Sequence, residues 1–356
     1  MNSIRQFKKE LEAGRQGRNI GISTGMPKLD SIIYGIQRTC LYLLASDSGS
    51  GKTTAMLDLF VYNLFKNKDN KNISILLYSF EMSESAVYAK LLSRYIWDEF
   101  GRIITYEDIM SLTKVISDED FKLVEKALEW LATITPYFKI YDKEMPPSAI
   151  YGTTKEWLRL HGEFITLGEH KEDYIEKDEN QYKLVIIDHV SLITPTNGSK
   201  KASIDLVANY MIYFRNKCNI TGVFVQQLNR NSKSFERKTA GFELLDTADL
   251  QDTSGVAQAA NVIIMIYYPY REKIARVDNY SIQNGLKDRA RVFQVVKQRF
   301  GKADVNIVSG FYGEIGMFKE LPPANQISDY SKYTELIKEE EDDEQTDNEN
   351  ENVFKL

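Results

Sequence analysis

The sequence predicts an α/β fold: a mostly parallel central sheet flanked by helices, with a β-hairpin late in the chain. Three observations carry the prediction. Apolar, strand-like runs alternate with amphipathic helical segments from about residue 40 to residue 310. A Gly-rich phosphate-binding loop, Ser46-Asp-Ser-Gly-Ser-Gly-Lys-Thr-Thr54, lies directly between an apolar run and a helical one. Further on, Leu184-Val-Ile-Ile-Asp188 is four apolar residues ending in an acid.

Residues 3–13 place Ile4, Phe7 and Leu11 at near-helical spacing among Arg5, Lys8, Lys9 and Glu10, with Gly14 as a stop. So short a helix needs a surface on which to dock its apolar stripe. Gly14 to Gly21 reads as a flexible connector. Strands are expected at 41–45, 73–80, 137–141, 184–187, 222–225, 262–267, 292–297 and 306–309. Helices are expected at 54–65, 83–98, 105–110, 118–132, 147–161 and 203–217. The segment 163–182 is charged and weakly periodic, which suggests a surface insertion.

A chain of 356 residues can bury a full core, as one large α/β domain or two smaller ones. No apolar run approaches a membrane-spanning length, and the charged start lacks the apolar stretch of a secretory leader. Cys40 and Cys218 lie in or beside apolar segments without metal-ligand spacing, as buried thiols of a reducing cytoplasm would. The net charge is −6, but residues 339–351 alone hold nine acids and no base. Without them the body carries 45 basic against 42 acidic residues, a balance that permits a nucleic-acid partner without demanding one. The acidic run ends in Val353-Phe354-Lys355-Leu356, so it reads as a disordered solubilising tail or as a docking tail.

The phosphate loop is the strongest chemical signal. Backbone N–H groups from Ser48, Gly49, Ser50, Gly51 and Lys52 can converge on a β-phosphate at the positive end of the following helix. In that geometry Lys52 reaches the β- and γ-phosphates of a nucleoside triphosphate, Thr53 holds Mg²⁺, and Thr54 completes the nucleotide-binding residues. Ser46 stands where this loop usually begins with Gly, so the start of the loop must tolerate a small side chain. Glu81, after the second strand, is either a base for the attacking water or a solvent-facing glutamate opening the next helix. Behind a phosphate loop, Asp188 fits a Mg²⁺-holding acid. Gln227 ends a strand where a γ-phosphate can be sensed. Lys297 and Arg299 share one strand face, either as a solvated basic edge or as cations for a neighbouring subunit's nucleotide.

Further motifs follow along the chain: Thr24-Gly-Met-Pro-Lys-Leu-Asp30 with Gly35-Ile-Gln-Arg38, Ser79-Phe-Glu-Met82, and Ile186-Ile-Asp-His189. After them come Gln227-Leu-Asn-Arg230, Asp249-Leu-Gln-Asp-Thr-Ser-Gly255, Gln258 to Asn261 and Lys297-Gln-Arg299. Over roughly residues 20–320 the chain resembles the DnaB-type replicative helicase motor domain. The resemblance implies a RecA-like ATPase core spanning 21–325, preceded by a linker helix and connector (1–20) and followed by the acidic tail (326–356). It implies a homo-hexamer that hydrolyses ATP with Mg²⁺ at subunit interfaces and moves 5′ to 3′ on single-stranded DNA during replication. Glu81 becomes the catalytic base, Lys52, Thr53 and Asp188 the nucleotide and Mg²⁺ ligands, and Gln227 the γ-phosphate sensor. Lys297 and Arg299 act in trans.

The resemblance also places DNA contacts on the loop of Gln251, Asp252, Thr253, Ser254 and Gly255. The family usually has Arg where this chain has Gln251, and Lys200 and Lys201, in the loop after Asp188, are candidates to restore the charge or are an ordinary solvated loop. The family's helical amino-terminal domain has no counterpart in the 20 residues before the motor. That pattern suits a phage or plasmid system with its own primase or loader contacts. A strand-exchange or loader ATPase shares the nucleotide residues and is the competing expectation, and a non-enzymatic assembly protein is a third.

Overall fold

The computed structural model describes residues 2–17, 19–66, 72–167, 171–196, 198–228, 250 and 254–336. Helices α1 (Asn2–Arg15) and α2 (Pro27–Ile33) lead into β1 (Leu41–Ser46). Helix α3 (Lys52–Leu57) passes through a π-helical turn (Asp58–Tyr62) into α4 (Asn63–Lys66), followed by β2 (Ile73–Ser79). Next come α5 (Glu84–Phe100), α6 (Tyr106–Ile109), α7 (Asp118–Ile134), β3 (Phe138–Tyr141) and α8 (Pro147–His161). A small hairpin, β4 (Gly162–Leu167) and β5 (Lys171–Glu176), precedes β6 (Tyr182–Asp188), α9 (Lys200–Cys218) and β7 (Thr221–Gln227). The described chain resumes with α10 (Ser254–Ala259), β8 (Val262–Tyr267), the two-residue strands β9 (Arg276–Val277) and β10 (Tyr280–Ser281), β11 (Ala290–Gln298), β12 (Val305–Tyr312) and β13 (Met317–Glu320).

Nine strands form one sheet in the order β13-β12-β11-β8-β1-β7-β6-β2-β3. The six from β8 to β3 are parallel, and β11, β12 and β13 add antiparallel at one edge. The expected late hairpin is β11–β12, extended by β13, which the sequence reading missed. The apolar runs are continuous because both faces are covered. Tyr42 and Leu44 pack on one side with Met56, Phe60, Val87 and Leu91 of the α3–α5 layer. Leu41, Leu43 and Ala45 pack on the other with Trp157, Val207, Met211 and Val256 of α8, α9 and α10. Truncating such a residue, for instance Leu44→Ala, costs about 2–5 kcal/mol.

The opening motif is a structural clasp. The Asp30 carboxylate accepts the Thr24 N–H at 3.0 Å and the Thr24 hydroxyl at 2.8 Å, and Asn63 Nδ2 donates to the Thr24 carbonyl at 2.7 Å. Glu320 accepts the N–H groups of Lys28 and Leu29 at 2.9 Å each, tying α2 to the last strand.

Three expectations are corrected. The segment read as a surface insertion is the β4–β5 hairpin, whose Phe164 and Tyr174 rings pack at 4.8 Å. Lys200 and Lys201 do not lie in a loop: the Ser199 hydroxyl accepts the Ala202 N–H and starts α9 at Lys200. Ser254 and Gly255 open α10 instead of closing a loop. A Cβ on Gly255 would collide with Asp205 of α9, so glycine permits the contact between these helices.

The packed chain also continues past 325, since Ile327 is buried and Tyr330 packs beside it. The acidic run 339–351 lies outside the described residues. Helix α1 presents Ile4, Phe7 and Leu11 at 77%, 58% and 54% exposure. Both cysteines are free and buried. Among the described residues no helix is long and apolar enough to cross a membrane.

Candidate nucleotide site

Strand β1 delivers the phosphate loop at its carboxyl end, level with Gln227 of β7. Ser46 still belongs to the strand and its hydroxyl donates to the Asp47 carbonyl at 2.9 Å, so glycine is not required there. The positive φ angles fall on Gly49 (+76°) and Gly51 (+97°), where a side chain would be strained. Gly51 also lies against aromatic rings: an added Cβ would sit 3.0 Å from Phe318 and 3.4 Å from Phe311. Lys52 and Thr53 then form the first turn of α3, placing the helix's unpaired N–H groups at the loop.

Acidic groups converge from two neighbouring strands. Ser79 of β2 is in register with Asp188 of β6, and the Phe80 N–H donates to the Asp188 carbonyl at 2.7 Å. That crossing carries Glu81 over the loop, where its carboxylate lies 3.5 Å from the Lys52 ammonium. Burial pushes the Asp188 carboxyl up to about 6, against the pull of the Thr53 hydroxyl and the Lys52 ammonium. Neither Asp188 oxygen closes a hydrogen bond with another described residue. A buried acid with both oxygens unsatisfied, near a threonine hydroxyl, fits a Mg²⁺ ion that keeps most of its waters. Among the described residues no three His, Cys, Asp or Glu side chains gather into a cluster that would hold a metal by themselves.

Two arginines that the sequence reading missed brace the loop from the antiparallel edge. Arg291 of β11 is buried, donates from Nε to the Ser50 carbonyl at 3.0 Å, and lies 3.6 Å over the Tyr268 ring. Burial pulls it down to about 10, so it stays charged at neutral pH. Arg271 donates to the Ser48 carbonyl at 2.7 Å and pairs with Asp47 at 3.3 Å. A charged residue inside the apolar run Ala290–Val296 was the available sign.

Lys297 and Arg299 sit elsewhere. Strand β11 runs antiparallel to β8, so Val292 is level with Tyr267 and Lys297 with Ile263. The Arg299 N–H donates to the Asn261 carbonyl, and the Asn261 N–H to the Leu41 carbonyl. Arg299 is therefore level with the start of β1, about 17 Å of extended chain from the loop at its end. The expectation that both share one face holds: Lys297 Nζ donates to the Ala257 carbonyl at 2.8 Å and Arg299 Nη2 to the Gln258 carbonyl at 2.9 Å. Gln251, Asp252 and Thr253 lie outside the described residues.

The profile of the DnaB-like helicase C terminal domain matches residues 21–144 and 167–320. The replicative DNA helicase DnaB of Geobacillus stearothermophilus is 23% identical over 82% of this chain and 55% of its own length. That of Rickettsia typhi is 25% identical over 70% and 45%. The chain thus spans about half the length of the curated relatives it matches. One solved ATPase domain superposes with a TM-score of 0.66 at 19% identity, covering 90% of this chain and 98% of that one. A DnaB-like replicative helicase, solved in a study of its interactions with primase, gives 0.67 at 19%, covering 90% and 68%. Both likenesses establish the fold.

Proposed function

This chain belongs to the family of DnaB-like helicase C-terminal domains, and from that premise we propose that it is the motor of a hexameric, ATP-driven DNA helicase. It moves 5′ to 3′ on single-stranded DNA during replication and hydrolyses ATP between subunits. The observation that carries this reading is the division of labour along β11. The strand braces the chain's own phosphate loop through Arg291, yet leaves Arg299 about 17 Å away, too far to serve that loop's nucleotide, with Lys297 about 10 Å away and bonded to the Ala257 carbonyl. A complete site then needs a second copy.

In that assembly Lys52 and the loop N–H groups hold the triphosphate, and Thr53 and Asp188 hold Mg²⁺. The ion neutralises charge on the β- and γ-oxygens when bound. Glu81 accepts the proton of the water whose oxygen attacks the γ-phosphorus, while the bond to the β–γ bridging oxygen breaks. Gln227, in register with Ser46, reports loss of the γ-phosphate. Lys297 and Arg299 of the adjoining copy stabilise the transferring group. To reach it they exchange their bonds to the last carbonyls of α10, whose amino end adjoins residues 251–253. Those residues would contact DNA, so nucleotide engagement is coupled to the DNA grip. Lys200 and Lys201, at the positive end of α9, add phosphate affinity. The stripe of α1 docks on the neighbouring motor, and a primase or a loader is the implied protein partner.

Imaging with an ATP analogue and single-stranded DNA, joined to unwinding of a forked duplex, tests the proposal. Closed rings with ATP-dependent unwinding support it. Filaments without unwinding favour a strand-exchange ATPase, and monomers at micromolar protein contradict it.

A further inference from the structure

At the edge of the sheet opposite the phosphate loop, a cleft of 630 Å³ opens beside Asn261, where β8 begins and β11 ends. Arg38, Arg215 and Arg299 line it, and none of its lining residues is a carboxylate. All three guanidinium groups donate to neutral oxygens. Arg215 donates from Nη1 to Asn261 Oδ1 at 3.1 Å and from Nε to Asn216 Oδ1 at 3.0 Å. Arg299 donates to the Gln258 carbonyl, and Arg38 to the carbonyls of Glu179 and Asn180. These bonds orient the cations without cancelling their charge.

Asn261 joins two of them. Its side chain is buried and accepts both Arg215 Nη1 and the Leu41 N–H (2.9 Å), while its carbonyl accepts the Arg299 N–H at 3.1 Å. Arg215, at the end of α9, is thereby held beside the residue that reaches across to the neighbouring copy. Two guanidinium charges with no acid between them repel, and that repulsion is relieved when an anion enters. Planar guanidinium groups suit the paired oxygens of a phosphate.

Resting on the intersubunit reading of Arg299, we propose that Arg215 is a further trans cation: it joins Lys297 and Arg299 on the triphosphate bound by the adjoining copy.

Arg215→Met keeps the aliphatic stem and removes the charge. The oligomer should lose about ten- to a hundred-fold in ATPase kcat, with KM and fluorescent-nucleotide affinity within about threefold of wild type and unchanged mass by light scattering. Arg215→Lys should recover part of kcat, which restoring mere packing would not do, and it carries the test if Arg215→Met fails to fold. Mixing Arg215→Met with Lys52→Ala subunits should restore activity, because an intact loop then meets an intact Arg215. Wild-type turnover in Arg215→Met, or a loss that mixing does not repair, overturns the proposal. Lost DNA binding with intact DNA-independent ATPase also overturns it. Arg299→Ala run in parallel separates the failures. If Arg299→Ala loses turnover while Arg215→Met does not, only the role of Arg215 is withdrawn. If Arg299→Ala keeps turnover, the intersubunit reading itself falls.

Discussion

Arg291 and Arg299 stand near opposite ends of the same strand and differ in almost every physical respect. Arg291 is buried among Tyr268 and Phe311 and is bonded to the chain's own phosphate loop. Arg299 is exposed and level with the far edge of the sheet, and it rests on a helix-end carbonyl. The buried one is expected to build the site; the exposed one has nothing in its own chain to complete. An antiparallel strand added to a parallel sheet produces this separation directly, because it begins where the parallel strands end. In the proposed assembly, one strand would serve two nucleotides.

The largest expected effect falls at the exposed end. Arg299→Ala should reduce ATPase by about 10³-fold or more while nucleotide affinity and unfolding in urea stay near wild type. Arg291→Met should show the reverse balance. It leaves the Ser50 carbonyl without its buried donor, so it should cost about 2–4 kcal/mol in urea unfolding and weaken nucleotide binding by an isolated subunit. If the two variants give the same profile, the contrast between the strand ends is wrong.

Glu81→Gln sharpens the comparison from the loop side. It should keep nucleotide binding and assembly yet reduce turnover by about 10²-fold or more. Near-normal ATPase would remove Glu81 as the base and leave its contact with Lys52 a structural ion pair.

Much of this contrast was legible in the sequence. The loop, β1 and Asp188 were found because a strand covered on both faces is an unbroken apolar run, and Gly49 and Gly51 mark backbone that other residues resist. Lys297 and Arg299 stand out in the sequence through Lys297-Gln-Arg299, but Arg291 and Arg271 do not. The break that Arg291 makes in an apolar run marks its position but not its role, which depends on Tyr268 and Phe311 arriving from other parts of the chain, and Arg271 lies in a charged segment without such a mark. Strand β5 was hidden for a different reason. In β5 the buried Tyr174 shares its face with Glu172 and Glu176, so charge obscures the alternation. The start of α9 at Lys200 is set by the Ser199 cap and not by apolar periodicity, so Lys200 and Lys201 carry no helical signature in the sequence.

The smallest effect lies at the hairpin. His161 ends α8 against Trp157, and burial, with Lys183 nearby, holds it down to about 4 from an ordinary 6.5. A depressed folded-state value means the stabilisation is full above about pH 6.5 and declines as pH falls toward 4. The loss should be on the order of 1–2 kcal/mol after allowance for its partial exposure. His161→Gln should flatten that part of a stability–pH curve without changing ATPase at about pH 7.5. An unaltered slope would show that other groups set the acid response.

The central claim is that one chain's loop is completed by another chain's Arg299, and subunit mixing measures it most directly. Arg299→Ala and Lys52→Ala oligomers should each be inactive. Combined under conditions where subunits exchange, they should regain a substantial fraction of wild-type ATPase, since some interfaces then pair an intact Lys52 with an intact Arg299. A mixture that exchanges subunits and stays inactive, with Arg299→Ala alone binding nucleotide poorly, would place Arg299 in its own chain's site and contradict the account.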